Sequence, residues 1–364
     1  MDAGYTHSFP AVRGLQAGRG FYVATCPLRI IPKIFIFDED EVPPEIRAQR
    51  TLNRARLPEI TSYIVDNPDS YVISALTASI AAPVAYEPLA QAGARSNLGV
   101  LHIPMDAHIL INDGQHRRAA IEEALKERPE LGNESVPVVF FEDEGLERSQ
   151  QMFADLNKHA VRPSDSISTL YDRRDDGSNL ARYLAMSVSA FQGMTELEKS
   201  SISNRSTKLF TLSGIKNATR ALLQKSARAS ISAEEQKFAF DYWTAVSSNM
   251  PDWLAAKSRR LSAQELRQNF VHVHGVTLHA LGIVGRSLGG VDPQRRQTIL
   301  EKLSSIDWAR SNKEAWEGRA MHMGKISKAR VNVQLTANAI KKHLGIELTS
   351  EENGLEELYS SGRI

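Results

Sequence analysis

The sequence predicts an α+β protein, with a mixed α/β N-terminal domain followed by an all-helical C-terminal domain. Segments rich in β-branched and aromatic residues stop at about residue 145, and beyond it apolar residues recur at helical spacing. The 364 residues, 42% hydrophobic and 24% charged, are ordinary for a globular chain and long enough for two domains. The expected division is 1–145 for the α+β domain, 146–345 for the helical domain and 346–364 for a polar, frayed tail.

Residues 20–37, GFYVATCPLRIIPKIFIF, read as one or two strands. An acidic run at 38–41 and Pro43-Pro44 lead into a helical pattern from Glu45 to Asp66, which Pro58 is expected to break or kink. Tyr71 to Ile80 reads as a strand, and the Ala/Pro/Gly-rich stretch 81–97 as a loop or irregular hairpin. Ile109 to Ile111 make a short apolar strand, Asn112-Asp113-Gly114 is turn chemistry, and Gln115 to Arg128 form a helix. Val136 to Phe141 are a further strand. Helices are then expected over 144–158, 163–174, 178–190, 212–229, 232–249, 262–287, 293–304 and 325–343.

The turn at 113–118 carries the most chemistry. A helix N-terminus offers unpaired N–H groups and the positive end of a dipole. Gly114 in the preceding turn lets a ligand approach the backbone closely. His116, Arg117 and Arg118 place cations in the first turn, where they oppose the dipole. An anion would offset that cost, most naturally a phosphate held by Asp113, Gly114, Gln115, His116, Arg117 and Arg118. The alternative is a helix capped by Asp113 and followed by exposed arginines.

Net charge is only +1, so nucleic-acid binding would rest on local basic patches. RAQRTLNRAR supplies Arg47, Arg50, Arg54 and Arg56 without an intervening acid, and Asn53 beside them. Three of them, Arg47, Arg50 and Arg54, share a helical face, a self-repelling stripe suited to a polyanion. The competing reading pairs it with the acids at 38–45. Asn204, Arg205, Ser206, Thr207 and Lys208 could clamp a phosphate or simply cap the following helix. Asn157, Lys158 and His159 read as a complement to a helix C-terminus.

Cys26 is the only cysteine, which excludes an intramolecular disulfide and a cysteine-rich metal site. It reads first as an inert small hydrophobe. The alternative is a redox-sensing or ligand-contacting thiol, its thiolate favoured by Arg29. No metal is expected: His272 and His279 share a helical face, but His274 points elsewhere and no carboxylate lies among them. The four tryptophans read as core rather than as base-stacking platforms. No signal-peptide pattern or membrane-length apolar run is seen, so the expected location is the cytoplasm.

DGQHRRAA, preceded by a short apolar strand, resembles the hallmark of the DGQHR-domain proteins. The turn is also similar to the nucleotide-binding turn of the ParB/sulfiredoxin-like fold. Three further segments extend the likeness to the DndB branch: TCPLRIIPKIF at 25–35, MFADLNKHAVRPSDSISTLYDRRD at 152–175 and SISNRSTKLFTLSGIKNAT at 201–219. The resemblance implies a ParB/sulfiredoxin-like N-terminal domain and a bacterial transcriptional repressor. Such a repressor would bind promoter double-stranded DNA of a phosphorothioate-modification gene cluster, would be nucleoid-associated when bound, and would be modulated by ATP at the 113–118 turn. Other sulfur-modification proteins and a second copy of the chain are further expected partners.

An enzymatic alternative remains open beside this, a nucleotide hydrolase or DNA-processing factor with Asp113 and His116 as the reacting groups. It lacks a Walker-type lysine and a nuclease-like carboxylate cluster. A non-catalytic scaffold that docks modification enzymes through the helical half is the third reading.

Overall fold

A computed structural model describes residues 5–35, 57–142, 152, 163–203 and 205–363. The chain divides into two compact units, residues 1–161 and 162–364. The fold is α+β, with a mostly antiparallel sheet in the first unit and helices dominating the second.

In the first unit, strands β1 (Thr6–Gln16), β2 (Arg19–Pro27), β3 (Leu76–Ile80), β4 (Ala85–Pro88), β5 (Leu98–Pro104), β6 (Ile109–Asp113) and β7 (Ser135–Glu142) form one sheet. Their spatial order is β4-β5-β1-β2-β7-β3-β6, and only β3 and β7 run parallel. Alternation decides which side chains go inward. β2 buries Tyr22, Ala24 and Cys26, and opposite them β7 buries Val136, Val138 and Phe140. Helices α1 (Ile31–Ile34), α2 (Leu57–Asp66) and α3 (Gln115–Glu127) close that face, adding Ile31, Ile64, Ala120, Ile121 and Ala124 to one continuous core. Each large apolar side chain fully withdrawn from water there contributes about 1.5–3 kcal/mol.

The expected strand–turn–helix–strand at 109–141 is present. Several neighbours differ from expectation. Residues 28–34 turn helical instead of continuing the strand, and only Leu76–Ile80 of the 71–80 stretch pairs. The segment read as a loop or irregular hairpin contributes β4, and β1 and β5 are two strands the sequence reading did not assign.

In the second unit the helices are α4 (Asp165–Tyr171), α5 (Asp176–Ser187), α6 (Leu212–Leu223), α7 (Ala233–Ser248), α8 (Pro251–Lys257), α9 (Ala263–Asn269), α10 (Gly275–Arg286), α11 (Pro293–Glu301), α12 (Lys313–Trp316), α13 (Arg330–Leu344) and α14 (Ser350–Ser360). Local chemistry sets several starts. Asp175 and Thr211 accept from the backbone N–H three residues on, and Ser232 with Glu235 makes a capping box. α10 is central, packed against α6 and α13. A Cβ at Gly282 would lie 2.1 Å from the Ala218 carbonyl oxygen, so only glycine permits this approach of α10 to α6. All four tryptophans are buried, Trp308 stacking on Trp316 with ring centres 5.3 Å apart.

Two expectations here are corrected. The span 262–287 is not one helix: Phe270 bridges to Ala309, and the Val271 N–H donates to the Trp308 carbonyl at 2.9 Å, which breaks it between α9 and α10. The polar tail is not frayed. Its Thr349–Glu352 capping box starts α14, and Glu356 is buried against Arg319 (2.7 Å), Lys342 (2.6 Å) and the Asn338 amide. Burial alone would raise the Glu356 carboxyl, but these donors outweigh it and hold it at about 2. Among the described residues no helix is long and apolar enough to cross a membrane.

Candidate functional site

The turn at 113–118 follows β6, the sheet's edge strand. Gly114 sits at φ 108°, and a Cβ there would come 2.4 Å from Leu76 Cδ2, so both conformation and space require glycine. α3 opens directly after it with no side-chain cap and no acid in its first turn. Gln115 is buried, its amide donating to the Ile111 carbonyl at 3.2 Å. The neighbouring Asn112, read from sequence as turn chemistry, is fully buried and donates to Ser79 Oγ at 2.6 Å. It ties β6 to β3 directly behind the turn.

The two arginines differ. Arg117 donates to the Asp113 carboxylate and to Ser74 Oγ, with the arginine side chain 21% and the aspartate 43% exposed. Arg118 is 13% exposed and reaches back across the fold. Its guanidinium donates to the carbonyls of Phe35 (3.1 Å) and Pro32 (3.0 Å) and to the Glu122 carboxylate. The two first-turn guanidiniums are therefore offset from within the protein, and no external anion is required to balance them. As a hydrolytic group Asp113 would start with its carboxylate engaged. His116 is half-buried.

Cys26 is fully buried, and burial pushes its thiol up to about 12. At neutral pH it carries no thiolate, while Arg29 donates instead to Asn133 Oδ1. Of the two readings of Cys26, this burial fits the inert core residue and disfavours the redox-sensing or ligand-contacting thiol.

In the 201–219 segment, Arg205 is exposed and makes no ion pair among the described residues. The Lys208 ammonium donates to the Gly193 carbonyl at 2.7 Å. The loop is fastened by a residue the sequence reading missed: buried Arg267 donates to the carbonyls of Ser206 and Lys208. Arg47, Arg50, Asn53, Arg54, Arg56, Asn157, Lys158, His159 and Asn204 lie outside the described residues.

His272 is a core residue. Its Nδ1 accepts from the Trp253 indole at 3.0 Å, which leaves the proton on Nε2 to face Asp252 Oδ2 at 3.1 Å. His274 Nε2 donates to the Arg267 carbonyl at 2.9 Å. Burial pushes both imidazoles down, His274 to about 4.

Comparison with curated proteins and with solved structures gave no match. A family model described as DndB, DNA-sulfur modification-associated, matches residues 9–347. That span runs from within β1 through α13 and includes the 113–118 turn, the Arg267-fastened loop and the α6–α10 pair. On this match across nearly the whole length, the chain belongs to the DndB family and to the DNA sulfur-modification systems that family serves.

Proposed function

We propose that this DndB-family chain is a DNA-binding repressor of a phosphorothioate-modification gene cluster, with ATP as modulator at the 113–118 turn. The observation that carries it is the family match across residues 9–347. The geometry of Arg117 supports the modulation. A partly exposed i,i+4 pair contributes only about 0–1 kcal/mol, so Arg117 can leave Asp113 and Ser74 for a phosphate at modest cost. Arg118, held by two carbonyls, stays as a fixture of the α1–α3 junction. Promoter DNA would be held mainly through phosphate contacts, which give affinity without sequence information.

The test is a mobility shift with promoter duplex at moderate salt, with and without ATP. The expected result is a shift whose affinity changes with ATP, and loss of that change in Arg117→Ala. An unaltered ATP response in Arg117→Ala removes the turn from the mechanism. No promoter binding at any salt concentration removes the repressor reading.

A further inference from the structure

The helical unit contains a groove of about 1260 Å³ bounded by α6, α10, α13 and the start of α14. Arg220, Arg286, Lys328 and Arg330 line it, and none of them makes an ion pair among the described residues. Two further cations on its wall are neutralised locally, Lys225 by Glu235 at 2.9 Å and Lys341 by Glu352 at 2.7 Å. Glu351 is the one lining carboxylate left without an ion pair among the described residues. The groove therefore carries a surplus of positive charge in a chain whose net charge is only +1.

The lining follows from helix geometry. Asn217, Arg220, Ala221 and Gln224 recur at i, i+3, i+4 and i+7 along and just past α6, and His279, Ile283 and Arg286 at i, i+4 and i+7 along α10. Gly282 brings these two faces side by side. Arg220 Nε is out of solvent and has no hydrogen-bond partner. A buried donor left this way costs about 1–3 kcal/mol. The rest of the lining mixes apolar side chains, among them Ala221, Ile283, Val331 and Leu355, with neutral polar ones such as Asn217 and Gln334.

We infer that this groove binds a nucleoside polyphosphate, a site separate from the 113–118 turn and additional to the regulatory reading above. Guanidinium groups match phosphate oxygens in pairs, and several unpaired cations call for a ligand bearing several negative charges. Apolar and amide-bearing side chains in the same lining suit a ligand with a heterocyclic body as well as a charge. The volume is at or above the upper end of small-molecule sites, which run to about 1,000 Å³, and far exceeds what an inorganic anion fills.

The experiment is calorimetric titration of the full chain with ATP, with pyrophosphate and with a short DNA duplex. It is repeated on Arg286→Ala/Arg330→Ala and on Arg117→Ala. Arg286 and Arg330 are both exposed, so the double variant should melt within a degree or two of wild type. The expected result is an ATP-binding step at least tenfold tighter than pyrophosphate binding, which the double variant weakens at least tenfold and Arg117→Ala leaves in place. ATP and pyrophosphate binding equally would overturn the assignment, as would duplex that competes ATP out of the groove. ATP binding lost in Arg117→Ala but kept in the double variant overturns the groove and leaves the turn reading standing. The converse leaves the groove and removes the turn.

Discussion

The turn at 113–118 and the groove in the helical unit both gather arginines, and they treat them in opposite ways. At the turn every described guanidinium has a partner inside the fold: Asp113 and Ser74 for Arg117, and Glu122 with two backbone carbonyls for Arg118. In the groove Arg220, Arg286, Lys328 and Arg330 have none among the described residues. The turn is the conspicuous motif in the sequence, whereas the groove has no motif at all. A cluster of basic residues thus says little about anion binding until the position of the compensating carboxylates is known.

The sharpest way to break this contrast is Gly282→Ala. The added methyl would press on a backbone carbonyl that cannot rotate away, forcing α6 and α10 apart. The expected loss is about 3 kcal/mol in chemical denaturation, the upper end for an overpacked core, with ATP affinity of the groove falling alongside it. A fully stable variant would mean that the two helices do not approach as described.

Acid should act next, and on the helical unit. His274, beside Lys328 and Arg310, is held neutral by burial, its pKa lowered from 6.5 to about 4. Its folded pKa lies below its unfolded one, so its contribution is complete above pH 6.5 and is lost as pH falls toward 4. The loss amounts to at most about 3 kcal/mol, less to the extent that solvent screens the ring. Thermal melts between pH 7 and pH 4 on wild type and His274→Asn would measure it. The variant should show a flatter profile through that window.

Smaller effects separate the two arginines of the turn. Arg118→Ala strips a donor from the Phe35 and Pro32 carbonyls and should cost about 2 kcal/mol. Arg117→Ala removes a half-exposed pair and should cost less than about 1 kcal/mol. Equal losses from the two substitutions would erase the distinction between a fixed and an exchangeable guanidinium.

What was legible in the sequence is what local rules govern. The strand, turn and helix across 109–127 could be read because Asp113-Gly114 punctuates an apolar run followed by helical periodicity. The change from strands to helices past residue 145 was visible for the same reason. β1 escaped because its inward positions are Phe9 and Ala11 alone, while Val12 and Leu15 face out and Pro10 and Gly14 interrupt the pattern. Its partner β5 lies about 90 residues along the chain, beyond any window of periodicity. α14 escaped because its sequence is polar: Glu356 looks like a solvated acid until α13 and Arg319 are placed beside it. The groove was invisible because its cations come from three separate stretches of chain, and Gly282, which joins two of them, reads as nothing more than a small residue in an apolar helix.

The segregation of the aromatic indoles and the lone thiol gives each unit its own reporter. Trp243, Trp253, Trp308 and Trp316 all lie in the second unit, and Cys26 lies fully enclosed in the first. Tryptophan emission therefore follows the helical unit alone, and the rate at which a thiol reagent modifies Cys26 follows the opening of the sheet alone. One unlabelled, unmutated sample can thus tell whether the two halves come apart together or in sequence, and which of them a bound nucleotide holds shut.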